Sequence, residues 1–325
     1  MRAELRPSSL GEILDRTAQM YRRHFPVYFG IATISYAAVL VLSLLVDLPL
    51  YSHLHAGALR RPDRIMVGAG FSIGLLSIVP VAIGMAAVTH AVARNYLGET
   101  CTIREAYVSI GRRWYRYILI LLAIYSYAML PIAVLVGVAA VASALLPAGM
   151  ARAAAVGIAV VLIFIGIFVV LWWMLRWALS IPASLMENLK VHRALKRSST
   201  LTKGGIGRIF VMLLLVGAVM TVIQYAIQIP MFVLLWKSKG VPTLTTQIVA
   251  SFGTFLSGSF VLPIYSIALT LFYYDQRIRK EGYDVEWLME QAAGMPGATS
   301  LAGISSATAA PGSLTPQTEP PGPAI

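Results

Sequence analysis

The sequence predicts an all-α polytopic membrane protein, with six transmembrane helices in three hairpins and amphipathic interfacial helices on the cytoplasmic side. Its composition is the first reason: of 325 residues, 58% are hydrophobic and 12% are charged, and the mean hydropathy is +0.75. Soluble domains carry about 25% charged residues, so the solvent for most of this chain is expected to be lipid. The other two reasons are six long apolar runs and an uneven distribution of lysine and arginine among the connections.

Each apolar run is near or above the roughly 20 residues that a helix needs to cross the hydrocarbon layer. Lipid offers no hydrogen-bond partners, so the backbone groups of a run must bond within it, which makes the runs helices. Pro182, at the end of the fourth run, is expected to mark a helix end. We place the six runs at about 26–50, 65–93, 115–146, 153–183, 207–236 and 246–274.

Lysine and arginine set the predicted orientation, because cytoplasmic connections carry an excess of both. Nineteen of these residues lie in four segments on one side of the predicted bundle, and six lie in the connections on the other side. Both termini are therefore predicted to be cytoplasmic. The four basic segments are 1–24, 94–116, 190–208 and 277–280.

Short amphipathic helices are predicted in the first three of these segments. Ser9 and Glu12 have capping-box spacing, as do Thr102 and Glu105, and apolar residues at helical spacing follow each pair. We expect these helices to lie on the membrane surface with their apolar faces towards the lipid. The chain is then a transmembrane domain, 1–290, of three repeated hairpin-like units at about 1–98, 99–186 and 187–290, followed by a disordered Pro/Ala/Gly/Ser/Thr-rich tail at 295–325.

Three stretches carry a resemblance to a known family: 6–25 (RPSSLGEILDRTAQMYRRHF), 181–210 (IPASLMENLKVHRALKRSSTLTKGGIGRIF) and 269–288 (LTLFYYDQRIRKEGYDVEWL). They resemble a bacterial family of six-span proteins related to the membrane domain of glycerophosphoryl diester phosphodiesterase. Some relatives join this domain to a soluble catalytic barrel, which needs about 250 residues, and about 45 follow Lys280 here. The resemblance therefore implies a multi-pass protein of the bacterial inner membrane without hydrolase activity.

The basic side chains next to the spans are the main candidates for binding. Each cation near an anionic leaflet contributes about 1 kcal/mol, so they could bind lipid headgroups or a protein partner, or they could set topology alone. We call ten of them the basic collar: Arg22, Arg23, Arg112, Arg113, Lys190, Arg193, Lys196, Arg197, Lys203 and Arg208. Arg176, inside the fourth span beside three tryptophans, either binds a headgroup or extends its side chain to the interface.

Two other functions stay open at this stage, a transport component and a lipid-modifying enzyme. Gln224 and Gln228 share a helix face and could form a polar seam for transport, although such residues more often hydrogen-bond between helices. The sequence carries no nucleotide-binding or hydrolase motif, and we predict no catalytic, cofactor or metal site. His53 and His55 are expected to lie in a solvated external loop.

Nucleic acid is not an expected partner, because the basic residues lie in loops beside apolar spans. The single cysteine, Cys101, excludes an intrachain disulfide and a cysteine metal cluster. The expected surroundings are therefore the bilayer and its anionic headgroups.

Overall fold

The computed structural model describes residues 7–55, 62–145, 149–237 and 243–282, and throughout these ranges the elements are helices. The ten α-helices are α1 (Leu10–Arg23), α2 (Phe25–His55), α3 (Pro62–Tyr96), α4 (Ile103–Ile110), α5 (Trp114–Leu145), α6 (Met150–Trp177), α7 (Ser180–Met186), α8 (Val191–Thr202), α9 (Ile206–Lys237) and α10 (Leu244–Glu281), with a 3-10 turn at Gly111–Arg113. The predicted tail, 295–325, and the side chains of His53 and His55 lie outside the described residues.

Six of the helices are long and apolar enough to cross a membrane, which confirms the predicted number of spans and the all-α class. Most of their limits lie close to the predicted ones, but the third span begins at Ile103 rather than at about 115, because it takes in α4. The candidate spans are Phe25–Pro49, Gly70–Tyr96, Ile103–Val141, Arg152–Met186, Ile206–Lys237 and Leu244–Glu281. The chain is therefore a multi-pass membrane protein.

Local sequence explains where the short helices begin and end. At α1 the Ser9 hydroxyl accepts from the Glu12 N–H at 3.2 Å and the Glu12 carboxylate accepts from the Ser9 N–H at 2.8 Å, which is the predicted capping box. Thr102 and Glu105 make the same pair of bonds at α4. Gly111, with φ 47°, ends α4 in a conformation that favours glycine.

The apolar faces of the short helices pack at least partly on protein. Ile13 and Thr17 of α1 are buried, as are Ala106 of α4 and Ala194 of α8. The burial follows from the predicted amphipathic spacing, but the covering surface at these positions is protein. Contact of these helices with the membrane surface stays a prediction.

The fourth span is interrupted before Pro182. α6 ends at Trp177 and α7 begins at Ser180, so Pro182 lies in the first turn of α7, where the missing N–H has no intrahelical partner to lose. The helix end that Pro182 was expected to mark thus precedes it.

The last span, α10, is the centre of the bundle. In its most apolar window 67% of the residues are buried inside the protein, against 11–33% in the other five spans. Phe29 of α2 packs on Phe260 with ring centroids 4.9 Å apart, and Tyr96 of α3 stacks on Tyr274 at 5.0 Å. The surrounding helices therefore hold α10 away from lipid.

Neighbouring long helices also pack on one another. α2 lies along α3 and α5 lies along α6, and Gln228 of α9 packs against Gly253 of α10. A division of the chain into three repeated units stays a prediction.

Candidate functional site

The four basic segments meet at one end of the bundle, which we call the basic end. Segment 94–116 joins it through Tyr96, which stacks on Tyr274 of α10, and through Arg113, which donates to Asn188. Ser8, just before α1, donates its N–H to Asp275 of α10 at 2.8 Å. Arg208, at the start of α9, lies 3.2 Å from the same carboxylate. Lys280, at the end of α10, donates to the Thr200 carbonyl at 3.0 Å. The end of α10 therefore ties α1, α8 and α9 together.

Asp275 is the centre of a buried charge network. Its side chain is only 3% exposed, and the Arg279 Nε donates to both carboxylate oxygens at 3.0 Å. The Ser8 carbonyl accepts from Arg279 Nη2 at 2.7 Å and from Arg208 Nη2 at 3.1 Å. A buried carboxylate needs such partners, because an unpaired one would lose its hydration without compensation.

A second network joins α7, α8 and α10. The Arg197 Nε donates to both oxygens of Glu187 at 2.8 Å, and the Tyr273 hydroxyl donates to the Glu187 Oε1 at 2.8 Å. The two side chains of this ion pair are more than three-quarters buried, at 24% exposed for Arg197 and 20% for Glu187. It fixes the turn after α7 against the centre of the bundle.

Ser198 attaches α8 to the break between α6 and α7. Its hydroxyl accepts from the Leu179 N–H at 3.1 Å and donates to the Arg176 carbonyl at 2.9 Å. These two backbone groups lie at the helix break, where they have no partner within a continuous helix. The most basic segment of the chain is thereby held rigidly beside the fourth span.

A cavity of about 300 Å³ at the basic end is lined by residues in or next to α3, α4, α5, α7 and α10. Its lining combines polar and basic residues, which we call the basic wall, with apolar ones. The polar lining residues are His90, Arg94, Ser109, Arg113, Tyr117, Asn188 and Tyr274, and the apolar ones are Ala93, Leu97, Leu185 and Met186.

Asn188 organises the basic wall of this cavity. It has a positive φ of 50°, because it follows the C-terminus of α7 in a Schellman motif in which the Leu189 N–H donates to the Ser184 carbonyl at 3.1 Å. Its side-chain oxygen accepts from Arg113 at 2.7 Å and from Arg116 at 3.0 Å. One neutral amide therefore holds two guanidinium groups close together, with no carboxylate paired to either in the described part of the chain.

The residues predicted to bind lipid or a partner fall into two groups. Arg197 and Arg208 make the internal ion pairs described above, so part of their charge is compensated within the protein. The other eight members of the basic collar are exposed at the basic end: Arg22, Arg23, Arg112, Arg113, Lys190, Arg193, Lys196 and Lys203.

The remaining predicted residues lie within the spans. The Arg176 guanidinium carbon lies 5.2 Å from the centroid of the Trp172 ring, a cation–π contact. Gln224 and Gln228 are half-buried on α9. Gln228 lies beside Gly253 of α10, and in the described part of the chain no hydrogen bond joins Arg176 to either glutamine.

A family model described as the membrane domain of glycerophosphoryl diester phosphodiesterase matches residues 112–285, more than half of the chain. The chain belongs to this family. No curated protein and no solved structure matches the chain. The part that matches the glycerophosphoryl diester phosphodiesterase membrane domain contains Arg113, Glu187, Asn188 and Asp275, so both charge networks and the basic wall of the cavity lie largely within it.

Sequence reasoning missed the polar residues that organise this family member's basic end. Asp275 and Glu187 stood among many juxtamembrane charges, and Asn188 and Tyr274 carried no motif. One available signal was the last span itself, which has the lowest hydropathy of the six, 1.8 against 2.2–3.2. A span enriched in serine, threonine and glycine is suited to contact with other helices rather than lipid.

Proposed function

We propose that this protein is a non-enzymatic component of the bacterial inner membrane, with both termini cytoplasmic, whose basic collar binds anionic lipid headgroups. The observation that carries the proposal is the convergence of exposed, unpaired cations at one end of a membrane-spanning bundle. Among the described residues, eight collar cations have no carboxylate partner: Arg22, Arg23, Arg112, Arg113, Lys190, Arg193, Lys196 and Lys203.

The internal networks support this function because they fix the cations in place. The capped α1 presents Arg22 and Arg23 on its last turn, and the Ser198 bonds hold α8 with Arg193 and Lys196 exposed. Cations on fixed helices bind a headgroup layer without an added cost of ordering the chain. At about 1 kcal/mol each, the eight unpaired cations suffice for a strong preference for anionic lipid.

The two alternatives have less support. Gln228 lies beside Gly253 of α10, as expected of a glutamine that contacts a neighbouring helix, so no specific observation favours a transport seam at Gln224 and Gln228. Lipid modification needs an acid–base pair, and the lining of the cavity contributes one histidine, His90, and no carboxylate.

The test is lipid selectivity in nanodiscs. Wild-type protein and a variant with Arg22, Arg23, Lys190, Arg193 and Lys196 changed to Gln would be purified in detergent. Each would then be reconstituted from a mixture of phosphatidylcholine and phosphatidylglycerol, and the lipids that co-purify with the protein would be quantified by native mass spectrometry. We expect the wild type to enrich phosphatidylglycerol and the variant to lose most of that enrichment.

The control variant changes Arg152 and Lys237, exposed cations at the other ends of α6 and α9, to Gln. It should enrich phosphatidylglycerol as the wild type does. Equal enrichment in all three proteins would refute the proposal, and a protein captured from cells by the wild type but not by the collar variant would point to a protein partner instead.

A further inference from the structure

We infer that the cavity between α3, α4, α5, α7 and α10 is a specific site for one phosphate-bearing group. This inference rests on the proposed binding of anionic lipid and gives it a defined location. The cavity measures about 300 Å³, at the lower end of the range of ligand pockets, about 300–1,000 Å³. That size suits a headgroup rather than a whole lipid.

The charge of the basic wall selects an anion. Arg113 lines the cavity, and Arg116 donates to the same side-chain oxygen of Asn188 as Arg113 does. Each guanidinium uses one N–H group on Asn188 and keeps others for a ligand, since arginine has five N–H donors. Two uncompensated positive charges held together repel each other, and an oxyanion between or beside them removes that repulsion.

Arg94 contributes less to this charge. It lines the cavity from α3 but pairs with Glu99 at 2.8 Å and with Glu105 at 3.4 Å. Its guanidinium is thereby oriented, and the anion would depend chiefly on Arg113. A planar guanidinium binds phosphate oxygens through two parallel hydrogen bonds, which favours phosphate over a halide ion.

The rest of the lining fits the groups attached to a phosphate. The phenols of Tyr117 and Tyr274 are almost fully buried and border the cavity together with His90. Leu97, Leu185 and Met186 add apolar surface to the lining. A phosphate ester of glycerol has this composition, with charge at one end and a mixed polar and apolar body.

The experiment compares two neighbouring arginines. Purified full-length wild type, Arg113→Gln and Arg112→Gln would be titrated separately with short-chain phosphatidylglycerol, glycerol 3-phosphate and inorganic phosphate. Binding would be followed by the shift in melting temperature and by native mass spectrometry. Arg112 is exposed in the same 3-10 turn and does not line the cavity, so it controls for net charge.

We expect saturable binding of one ligand per chain to the wild type, weakened about tenfold by Arg113→Gln, as expected for the loss of one charge-assisted hydrogen bond. Arg112→Gln should bind as the wild type does. Saturation by phosphatidylglycerol alone would assign the phosphate to a lipid headgroup, and saturation by glycerol 3-phosphate as well would assign it to a soluble ester.

A second variant blocks the cavity without removing a charge, so the test does not depend on Arg113→Gln alone. Ser109 is an exposed wall residue of the cavity, so Ser109→Trp should fill the cavity while leaving both charge networks intact, and it should abolish binding. Equal affinity of Arg113→Gln and Arg112→Gln, or no saturable binding of any of the three probes, would overturn the inference.

The outcome also separates this inference from the proposed function. If the five-residue collar variant loses its lipid preference while Arg113→Gln binds normally, the collar proposal stands and the cavity proposal falls. If only Arg113→Gln loses binding, the cavity is a site and the collar is not. If neither variant changes, both proposals fall.

Discussion

A single carboxylate, Asp275, joins three parts of the chain that are far apart in sequence. It contacts the backbone before α1, the first turn of α9 and Arg279 within α10. Its side chain is 3% exposed while those of the two arginines are about one-third exposed. If the carboxylate is removed, the two arginines can be solvated by water instead. The Ser8 N–H would lose its charged acceptor, and the Ser8 carbonyl would lose the fixed position of the two arginines that donate to it.

We predict that Asp275→Asn lowers the free energy of unfolding by about 2 kcal/mol, the contribution of a hydrogen-bonded charged group. Asparagine keeps the size of the side chain, so the loss reports charge rather than packing. The measurement is SDS-induced unfolding in mixed micelles, followed by helical circular dichroism.

The matched control is Glu99→Gln, which removes the carboxylate from the exposed pair with Arg94. Surface pairs contribute about 0–1 kcal/mol, so this variant should unfold close to the wild type. A loss at Asp275 no larger than the loss at Glu99 would contradict the role of Asp275 as the buried centre of the basic end.

At the scale of elements, close packing of α2, α3 and α10 depends on small residues. A Cβ atom added at Gly84 of α3 would lie 2.8 Å from the Ser35 Cβ of α2 and 3.1 Å from the Leu262 Cδ2 of α10. The Ser35 Cβ is attached directly to the backbone, so it cannot move without moving α2.

We predict that Gly84→Ala lowers the free energy of unfolding by about 1–3 kcal/mol, the usual cost of overpacking. Gly137 of α5 is the matched control, because an added Cβ there meets nothing within 4 Å. Gly137→Ala should stabilise slightly, since alanine is favoured over glycine within a helix by up to about 1 kcal/mol. Both are measured in the same SDS titration, and equal stabilities of the two variants would show that α3 does not pack as described.

The elements themselves were largely predictable from the sequence. Six runs of apolar residues and two capping boxes place most helix limits, since both signals are local. Pro182 marks the break after Trp177 only approximately. Proline is tolerated anywhere in the first turn of a helix, so it does not fix the residue at which the preceding helix ends. The partners of the short helices were not predictable, since amphipathic spacing requires an apolar surface without specifying lipid or protein.

At the scale of the whole molecule, the arrangement of the spans could not be read from their hydropathy. All six are apolar enough for lipid, yet α10 lies at the centre. The signal for this in the sequence was the serine and threonine content of α10. The buried hydroxyls of Ser259 and Thr270 bond to carbonyls one turn earlier, at 2.8 and 2.7 Å, so these polar groups stay hydrogen-bonded where they are buried. The candidate site was predicted as a set of cations, whereas Asp275, Glu187 and Asn188, which position them, act through contacts between distant segments.

The orientation of the bundle is the last prediction and belongs to the whole molecule. Because the four basic segments converge at one end, that end should face the cytoplasm, where basic connections are retained. Single cysteines would be introduced at Lys190, at the basic end, and at Arg152, at the start of α6, in a Cys101→Ser background. Native Cys101 is buried. Burial raises the pKa of its thiol above the usual value, with Arg94 opposing the shift and Glu105 and Glu99 adding to it. The thiol should therefore react slowly, and replacing it removes the remaining background labelling. In intact cells a membrane-impermeant maleimide should label Arg152→Cys and leave Lys190→Cys unlabelled until the cells are lysed. The reverse pattern would place the collar outside the cell and remove the basis for its binding to cytoplasmic anionic lipid.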